Sequence, residues 1–547
     1  ASAFFGYSSY MKVNRRQFLG YTASAAAFAS ASWLGYRYLN PPVSVHINHV
    51  GLPLGHFLPD RQLINTPPQN RYTCQTLVLG SGAAGLSAIW YLAKQGQRDI
   101  LLAEGFERNG NNAGYYTSQL GAPTGAHYLA LPSQESQYVR EMLTDLGILQ
   151  TNGHYRETDL VHAPEERLWY QNQWQEHLIP QNDADTQRFF ALIQQLKHAY
   201  GSDGKKLFAI PIALSSQDTT WRKLDTLTFA QWLAQENYRS QTLLWYLDYC
   251  CRDDYGQGIQ HVSAFAGLHY FAARGHTHDT VLTWQDGLAH LSEGLRRHTH
   301  LQTLTHLPTT SHWQFQQPQS WNASALKIHE TATGVEVILR HNISGETVLV
   351  EAQNVICAMP LMVAAHIVQN GAQYGLSRLE YAPWLVSNFV LHTFPKEADN
   401  SELAWDNVVY GSQGLGYVVA SHQLIRVAKP EQTIFTAYSA LHHDSPPAIR
   451  QWLLQATPSE LLHYAAQDLL AVYGNAFWRY VSHVDISVRG HAMSVPKVGY
   501  LSNEKLLQLR QHDSRLLFAH SDLSSYSVFE EAVYWGVEAA KKVLNHS

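Results

Sequence analysis

Only four of the 547 residues are cysteine, and none falls in a Cys-x-x-Cys or Cys-x-x-Cys-His pattern. That excludes zinc ribbons and covalently attached c-type haem. Cys74 and Cys357 sit in apolar, strand-like runs and are expected to be buried thiols. The adjacent Cys250 and Cys251 are expected to be two packed thiols, with a strained vicinal disulfide as the alternative. Charge is sparse: charged residues make up 15% and the net charge is -6, which leaves no electrostatic footprint for nucleic acid. After the N-terminal stretch, no run approaches the ~18 apolar residues of a membrane helix. The 30 histidines are scattered, with no His-Glu-x-x-His, so no metal site is expected. His46, His49 and His56 lie in a Pro-rich segment and read as solvated loop residues. With 45% hydrophobic residues the chain is globular and long enough for two or three domains.

What is present is concentrated in Leu77-Val-Leu-Gly-Ser-Gly-Ala-Ala-Gly85. An apolar run leads into Gly80-x-Gly82-x-x-Gly85, and Leu86, Ile89 and Leu92 then recur at helical spacing. Gly80 permits the tight turn. Gly82 lets the backbone approach a pyrophosphate, and Gly85 lets helix and strand pack closely. The free N–H groups of the helix start face the phosphates. A second apolar run, Ile100–Ala103, ends in Glu104, about 20 residues past the last glycine, where an acid accepts hydrogen bonds from an adenosine ribose. The alternative is a glycine-rich turn that binds nothing.

A second signal precedes this one. Asn14-Arg15-Arg16-Gln17-Phe18-Leu19 follows Met11 and opens an Ala/Ser-rich, mildly apolar stretch to about Tyr36. It resembles a twin-arginine export signal, a route for proteins already folded. Ala29-Ser30-Ala31 offers a small-residue cleavage site; an uncleaved N-terminal anchor is the alternative. The expected partner is the twin-arginine translocase, and the expected location is the periplasm, soluble or tethered to the inner membrane by that segment. Residues 1–10 carry no reading. The remainder divides into an arm at 41–71, a nucleotide-binding start at 72–130 and a mostly helical substrate segment at 131–285. The nucleotide-binding domain resumes at 286–360, the substrate domain at 361–485, and the nucleotide-binding domain again at 486–547. Val335–Leu339 and Glu346–Val350 read as a hairpin around Ser344-Gly345, Val355–Pro360 as a separate buried strand, and Leu516–Ala519 as the last one.

The motif at 77–104, the strand at 355–360 and the ending LLFAHSDLSSYSVFEEAVYWGVEAAKKVL together resemble the flavin-dependent amine oxidase superfamily. The resemblance is good over roughly residues 72–130, 280–360 and 485–545 and poor elsewhere. It implies an α/β fold, a Rossmann-like FAD-binding domain with an interleaved mixed-sheet plus helical substrate domain, and FAD as cofactor. The implied FAD contacts are Gly80, Ser81, Gly82, Ala84, Gly85, Glu104, Arg108 and Gly110. Gly287 of Trp284-Gln-Asp-Gly287 is expected under the flavin. Ser521 and Asp522 are expected at the ribityl–pyrophosphate region, and Glu531 in the helix aimed at the flavin. The family's Glu-x-Arg-x-Arg-x-Gly-Gly-Arg stretch is Glu104-Gly-Phe-Glu-Arg108-Asn-Gly110-Asn-Asn here, one glycine and two arginines short. No lysine stands in Trp384–Val390, where many amine oxidases place one; Asn388 is nearest. No cysteine is placed to tether the flavin.

Flavin performs the hydride transfer, and the protein positions the reactants. Candidates beside it are Trp284, Tyr526, Tyr534 and His491, each with ordinary packing as the alternative. Asp253 and Asp254 are candidates for a cationic substrate, or for a solvated helix face. The expected function is an FAD-dependent oxidoreductase acting on a small organic substrate, an amine first. The alternatives are a desaturase or dehydrogenase acting on an apolar substrate with a membrane acceptor, and a flavin-binding accessory subunit.

Overall fold

The computed structural model describes residues 43–52, 68, 70–274, 280–377, 379–399, 401–425, 428 and 430–546. Arg15, Arg16, the Ala29–Ala31 site and His56 lie outside the described residues. The chain enters on strand β1 (Ser44–His49) and continues through β2 (Arg71–Leu79), helix α1 (Ala83–Lys94) and β3 (Ile100–Ala103). Helix α2 (Gln241–Tyr255) belongs to the central helical stretch, and α3 (Ala289–His298) follows it. Then come β4 (Val335–His341), β5 (Thr347–Cys357), β6 (Tyr381–Leu391), β7 (Asp406–Val409), β8 (Thr433–Ala440), β9 (Val481–Ser494), β10 (Leu516–Phe518) and helix α4 (Phe529–Asn545).

Two eight-stranded sheets organise these elements. In the first, β3, β2, β5 and β10 run parallel in neighbouring positions, as buried apolar strands of an α/β layer do. α1 packs on this sheet and α4 crosses it. A Cβ on Gly536 would lie 2.3 Å from the Ala84 carbonyl oxygen, so glycine sets the approach of the two helices. The expected hairpin strand at 346–350 and the expected separate strand at 355–360 are one strand, β5. Its first half pairs antiparallel with β4, its second half parallel with β10, and its other edge parallel with β2.

The second sheet has the order β1, β9, β6, β8, Tyr417–Val419, β7, Glu166–Tyr170, Gln173–Gln175. Every residue of β6 is buried, because the strand is central and covered on both faces. Two expectations change here. A portion of the 41–71 arm is β1, an edge strand paired with β9, where His46 bonds Asp485 at 2.9 Å. The expected boundary at residue 485 cuts through β9, which lies wholly in this sheet. All four cysteines are buried free thiols.

Candidate functional site

The site begins at the turn between β2 and α1. Gly80 has φ +103°, and a Cβ there would lie 2.7 Å from the Ala358 carbonyl oxygen. A Cβ on Gly85 would lie 1.9 Å from the Gly80 carbonyl oxygen. Both positions therefore admit only glycine. Gly82 is different: a Cβ there meets nothing within 4 Å, and it is the uncapped N-terminal residue of α1. The first N–H groups of a helix have no intrahelical partner. The motif thus combines two packing glycines with one that faces open space before unpaired donors.

A loop folds over this turn. The Ser81 hydroxyl donates to the Glu104 carbonyl at 2.9 Å and accepts from the Asn109 N–H at 3.1 Å. Gly110, at φ +56°, brings its Cβ direction within 3.2 Å of the Gly82 Cα. Three carboxylates and three guanidiniums hold the loop. Arg296 of α3 forks onto Glu104 with bonds of 2.7 and 2.6 Å. Arg108 forks onto Glu293 at 2.9 and 2.8 Å. Arg489 of β9 forks onto Glu107 with two bonds of 2.8 Å. Burial works to raise the Glu104 pKa, but Arg296, Ser81 and Arg108 bring it below the ordinary value. Arg489 also donates to the Thr124 carbonyl at 2.9 Å, and Asn111 donates to the Ala492 carbonyl at 2.8 Å. The loop is thereby bolted to the second sheet.

His491 stands at the tip of a bulge in β9, where the register against β6 shifts between Ala382 and Trp384. Its ring is 6.0 Å from that of Tyr381. Burial, then Arg450, lowers its pKa to about 4, so it is a neutral ring at physiological pH. Close by, Asp522 Oδ2 accepts from the Tyr381 hydroxyl at 2.6 Å and from the Leu361 N–H at 2.9 Å. Its Oδ1 is buried without a hydrogen-bond donor. His520 Nδ1 lies 3.2 Å away, but that nitrogen accepts from the Asp522 N–H and cannot also donate.

The structure thus gathers Gly80, Ser81, Gly82, Gly85, Glu104, Arg108, Gly110, His491, Ser521 and Asp522 around one end of the parallel sheet. Other expected residues are elsewhere engaged. Glu104 is held by the Arg296 fork, one bond to each carboxylate oxygen, which leaves each oxygen a second lone pair. Ala84 is packed beneath Gly536. Gly287 has φ +60°, and its Cβ direction is filled by the Ala126 carbonyl, Pro123 and His127, so it packs on protein and not beneath a ring system. Glu531 accepts from the Ile212 N–H and the Ser524 hydroxyl, both at 2.6 Å. Trp284 is core: its Nε1 donates to Asp159 at 2.8 Å and its ring stacks on His290 at 4.8 Å. Tyr526 is buried against Tyr255 and His269 with its hydroxyl on Tyr500; it lines a water-sized cavity shared with Asp254 and Arg274. Tyr534 stacks on Tyr138 at 5.9 Å. Asn388 donates to the Pro123 carbonyl at 3.1 Å and accepts from Thr436 at 2.7 Å, so both ends of its amide are used. Sequence reasoning misses Arg296 and Arg489. Neither is near the motif in sequence, and no local pattern marks them.

The residues fit a dinucleotide at its pyrophosphate: Gly82 is an open cradle before helix donors, and Asp522 Oδ1 is an unsatisfied acceptor on the same side.

Fold and turn define an α/β protein with a Rossmann-like sheet and glycine turn and a second sheet attached. A family profile described as an NAD(P)-binding Rossmann-like domain matches residues 78–146. No curated protein matches the chain by sequence. Solved structures match over nearly its whole length. A putrescine oxidase redesigned in cofactor binding is 14% identical, covers 87% of this chain and 100% of its own, and has a TM-score of 0.62. A CLA-producing fatty acid isomerase from P. acnes is 15% identical, with 85% and 97% covered and a TM-score of 0.56. Cyclohexylamine oxidase from Brevibacterium oxydans is 15% identical, with 86% and 99% covered and a TM-score of 0.54. The chain has the fold these proteins share.

Proposed function

We propose that this chain is an FAD-dependent oxidoreductase of the amine oxidase type, acting on a small organic substrate with an amine favoured. The observation that carries the reading is Gly82: an open glycine before unpaired helix N–H groups, at the carboxyl end of β2, in a fold shared with two amine-oxidising enzymes by name. Gly82 and the first turn of α1 would hold the pyrophosphate, Arg108 would add positive charge, and Asp522 Oδ1 would take a hydroxyl. When bound, the flavin supplies the hydride acceptor. The protein's role is to hold the loop at 104–113 against the second sheet and to present a neutral His491. Purified protein should absorb as a flavoprotein and release FAD on acid treatment. Protein that binds NAD and ignores FAD overturns the reading.

A second reading, a flavoenzyme acting on an apolar substrate, is favoured by the likeness to the fatty acid isomerase. Anaerobic bleaching of the flavin by an apolar donor but by no amine would select it. We further propose export through the twin-arginine translocase to the periplasm, supported by Arg15-Arg16 ahead of the Ala/Ser-rich stretch. Arg15→Lys with Arg16→Lys should hold the protein in the cytoplasm; continued export of that variant overturns the proposal.

A further inference from the structure

A cavity of about 40 Å³ lies among the helix Glu504–Gln511, strand β10, the segment Ser521–Ser524 and helix α4. Its polar lining is Arg510, His512, Glu538 and Lys542, set against the indole of Trp535. None of the residues gathered at the glycine turn lines it. One water needs roughly 10–15 Å³, so the space holds several waters or one small polyatomic ion.

The two cations in this lining are short of partners. Arg510 Nε donates to the Leu523 carbonyl at 2.5 Å. Its Nη2 is buried with no acceptor, and no carboxylate stands within ion-pair distance of it among the described residues. Trp535 lies 5.9 Å from the guanidinium carbon, and its Nε1 is given to Ser524 at 2.7 Å. Lys542 donates to the Arg510 carbonyl at 3.4 Å and the His512 carbonyl at 2.5 Å, which leaves a third N–H. Burial lowers the pKa of both cations.

The neighbouring acids are committed elsewhere. Glu531 is held by Ile212 and Ser524. Glu538 Oε1 accepts from the Tyr138 hydroxyl at 2.8 Å and from Lys541 at 3.0 Å. Asp513 pairs with His546 at 3.0 Å. His512 adds no charge, since burial lowers its pKa and its Nε2 donates to the Leu516 carbonyl at 3.0 Å. Arg222 adds further positive charge near Arg510. The lining therefore carries two cations against one carboxylate. A buried guanidinium without an acceptor is costly, and its planar fork matches two oxygens of an oxyanion.

We propose that this cavity binds a small inorganic oxyanion of the size and charge of phosphate, with Arg510 as its fork and Lys542 as a second cation. The Arg510 bond to Leu523 ties the site to the segment that carries Asp522, so a bound anion braces that segment from outside the glycine turn. The site does not depend on the oxidoreductase reading.

The test is calorimetry of inorganic phosphate into the full purified chain, with sodium chloride at equal ionic strength as the comparison. Phosphate should bind saturably and chloride should not. Arg510→Met should weaken phosphate by roughly tenfold or more, as loss of a bond to a charged group does. Glu538→Gln removes the carboxylate that opposes the anion and keeps an acceptor for Tyr138, so it should tighten phosphate by roughly threefold. Gly82→Val should leave the binding that depends on Arg510 in place. No saturable phosphate binding, chloride bound as tightly as phosphate, or unchanged affinity in Arg510→Met would each overturn the proposal. So would phosphate binding abolished by Gly82→Val, which would put the anion at the glycine turn. If Arg510→Met yields no folded protein, Glu538→Gln decides, and unchanged or weaker phosphate binding there overturns the proposal.

Discussion

Glu104 and Arg296 meet in a two-bond fork across 192 residues of chain, both buried. The pair fixes α3 against the end of β3. Breaking a buried pair by removing one partner leaves an uncompensated charge and costs about 3–5 kcal/mol. Arg296→Ala should therefore lower stability by that order in chemical denaturation. Arg296→Lys should recover only a fraction, since an ammonium cannot form the planar fork. Pairing Glu104→Gln with Arg296→Met should cost less than either single change, because no lone charge is left. A parent-like midpoint for Arg296→Ala would show that the fork holds nothing.

The glycines of the turn separate folding from binding. Gly82 has φ -70° and open space around its Cβ direction, so Gly82→Val should fold with parent stability and lose the flavin. Gly85→Ala places a carbon 1.9 Å from the Gly80 carbonyl and should yield misfolded protein. Flavin absorbance and circular dichroism on the two variants distinguish the effects. Retained flavin in Gly82→Val would count against a pyrophosphate at the turn.

Local signals are legible in the sequence and distant pairings are not. The run into Gly80-x-Gly82-x-x-Gly85 specifies β2, the turn and α1, because each requirement is met by neighbours in the chain. β5 reads as two pieces, because its partners change from β4 to β10 halfway along and the sequence shows no such change. Trp284 looks like a flavin neighbour by motif, yet its indole reaches Asp159, 125 residues earlier. The place of Glu104 is legible but its state is not, since the state is set by Arg296. Asp253 has a solvated helix face among its readings in the sequence, and its burial beside Tyr128, 125 residues earlier, rules that face out.

Asp522 is a structural acid in this fold as well as a candidate cofactor contact. Its Oδ2 joins β6, through Tyr381, to the helix start at Leu361. Bonds to a charged group contribute roughly 1.5–3 kcal/mol each. Asp522→Ala should therefore destabilise apoprotein as well as holoprotein, beyond any loss of FAD affinity. Burial works to raise this carboxyl, but His520 once it is protonated in acid, with the Tyr381 hydroxyl and the Leu361 N–H, holds it below its ordinary value. Its stabilising contribution is present above the ordinary carboxylate range and is lost as pH falls through the lower folded value. The gap between parent and Asp522→Asn should thus narrow in acid. A pH-independent gap would argue against the charge as its source.

Asp253 has the opposite sign. Its carboxyl is raised to about 7, by burial first and then by Asp254, against about 3.9 in an unfolded chain. Between those values the folded protein binds the extra proton, so stability falls as pH rises through this window, and the full penalty is present above about 7. The difference corresponds to roughly 4 kcal/mol as an upper bound. Asp253→Asn removes the ionisation and should be more stable than the parent at pH 8 and equal to it near pH 4. Thermal melts of both proteins at the two pH values measure the difference. Equal melting temperatures of parent and Asp253→Asn at pH 8 would mean that the Asp253 charge carries no such penalty.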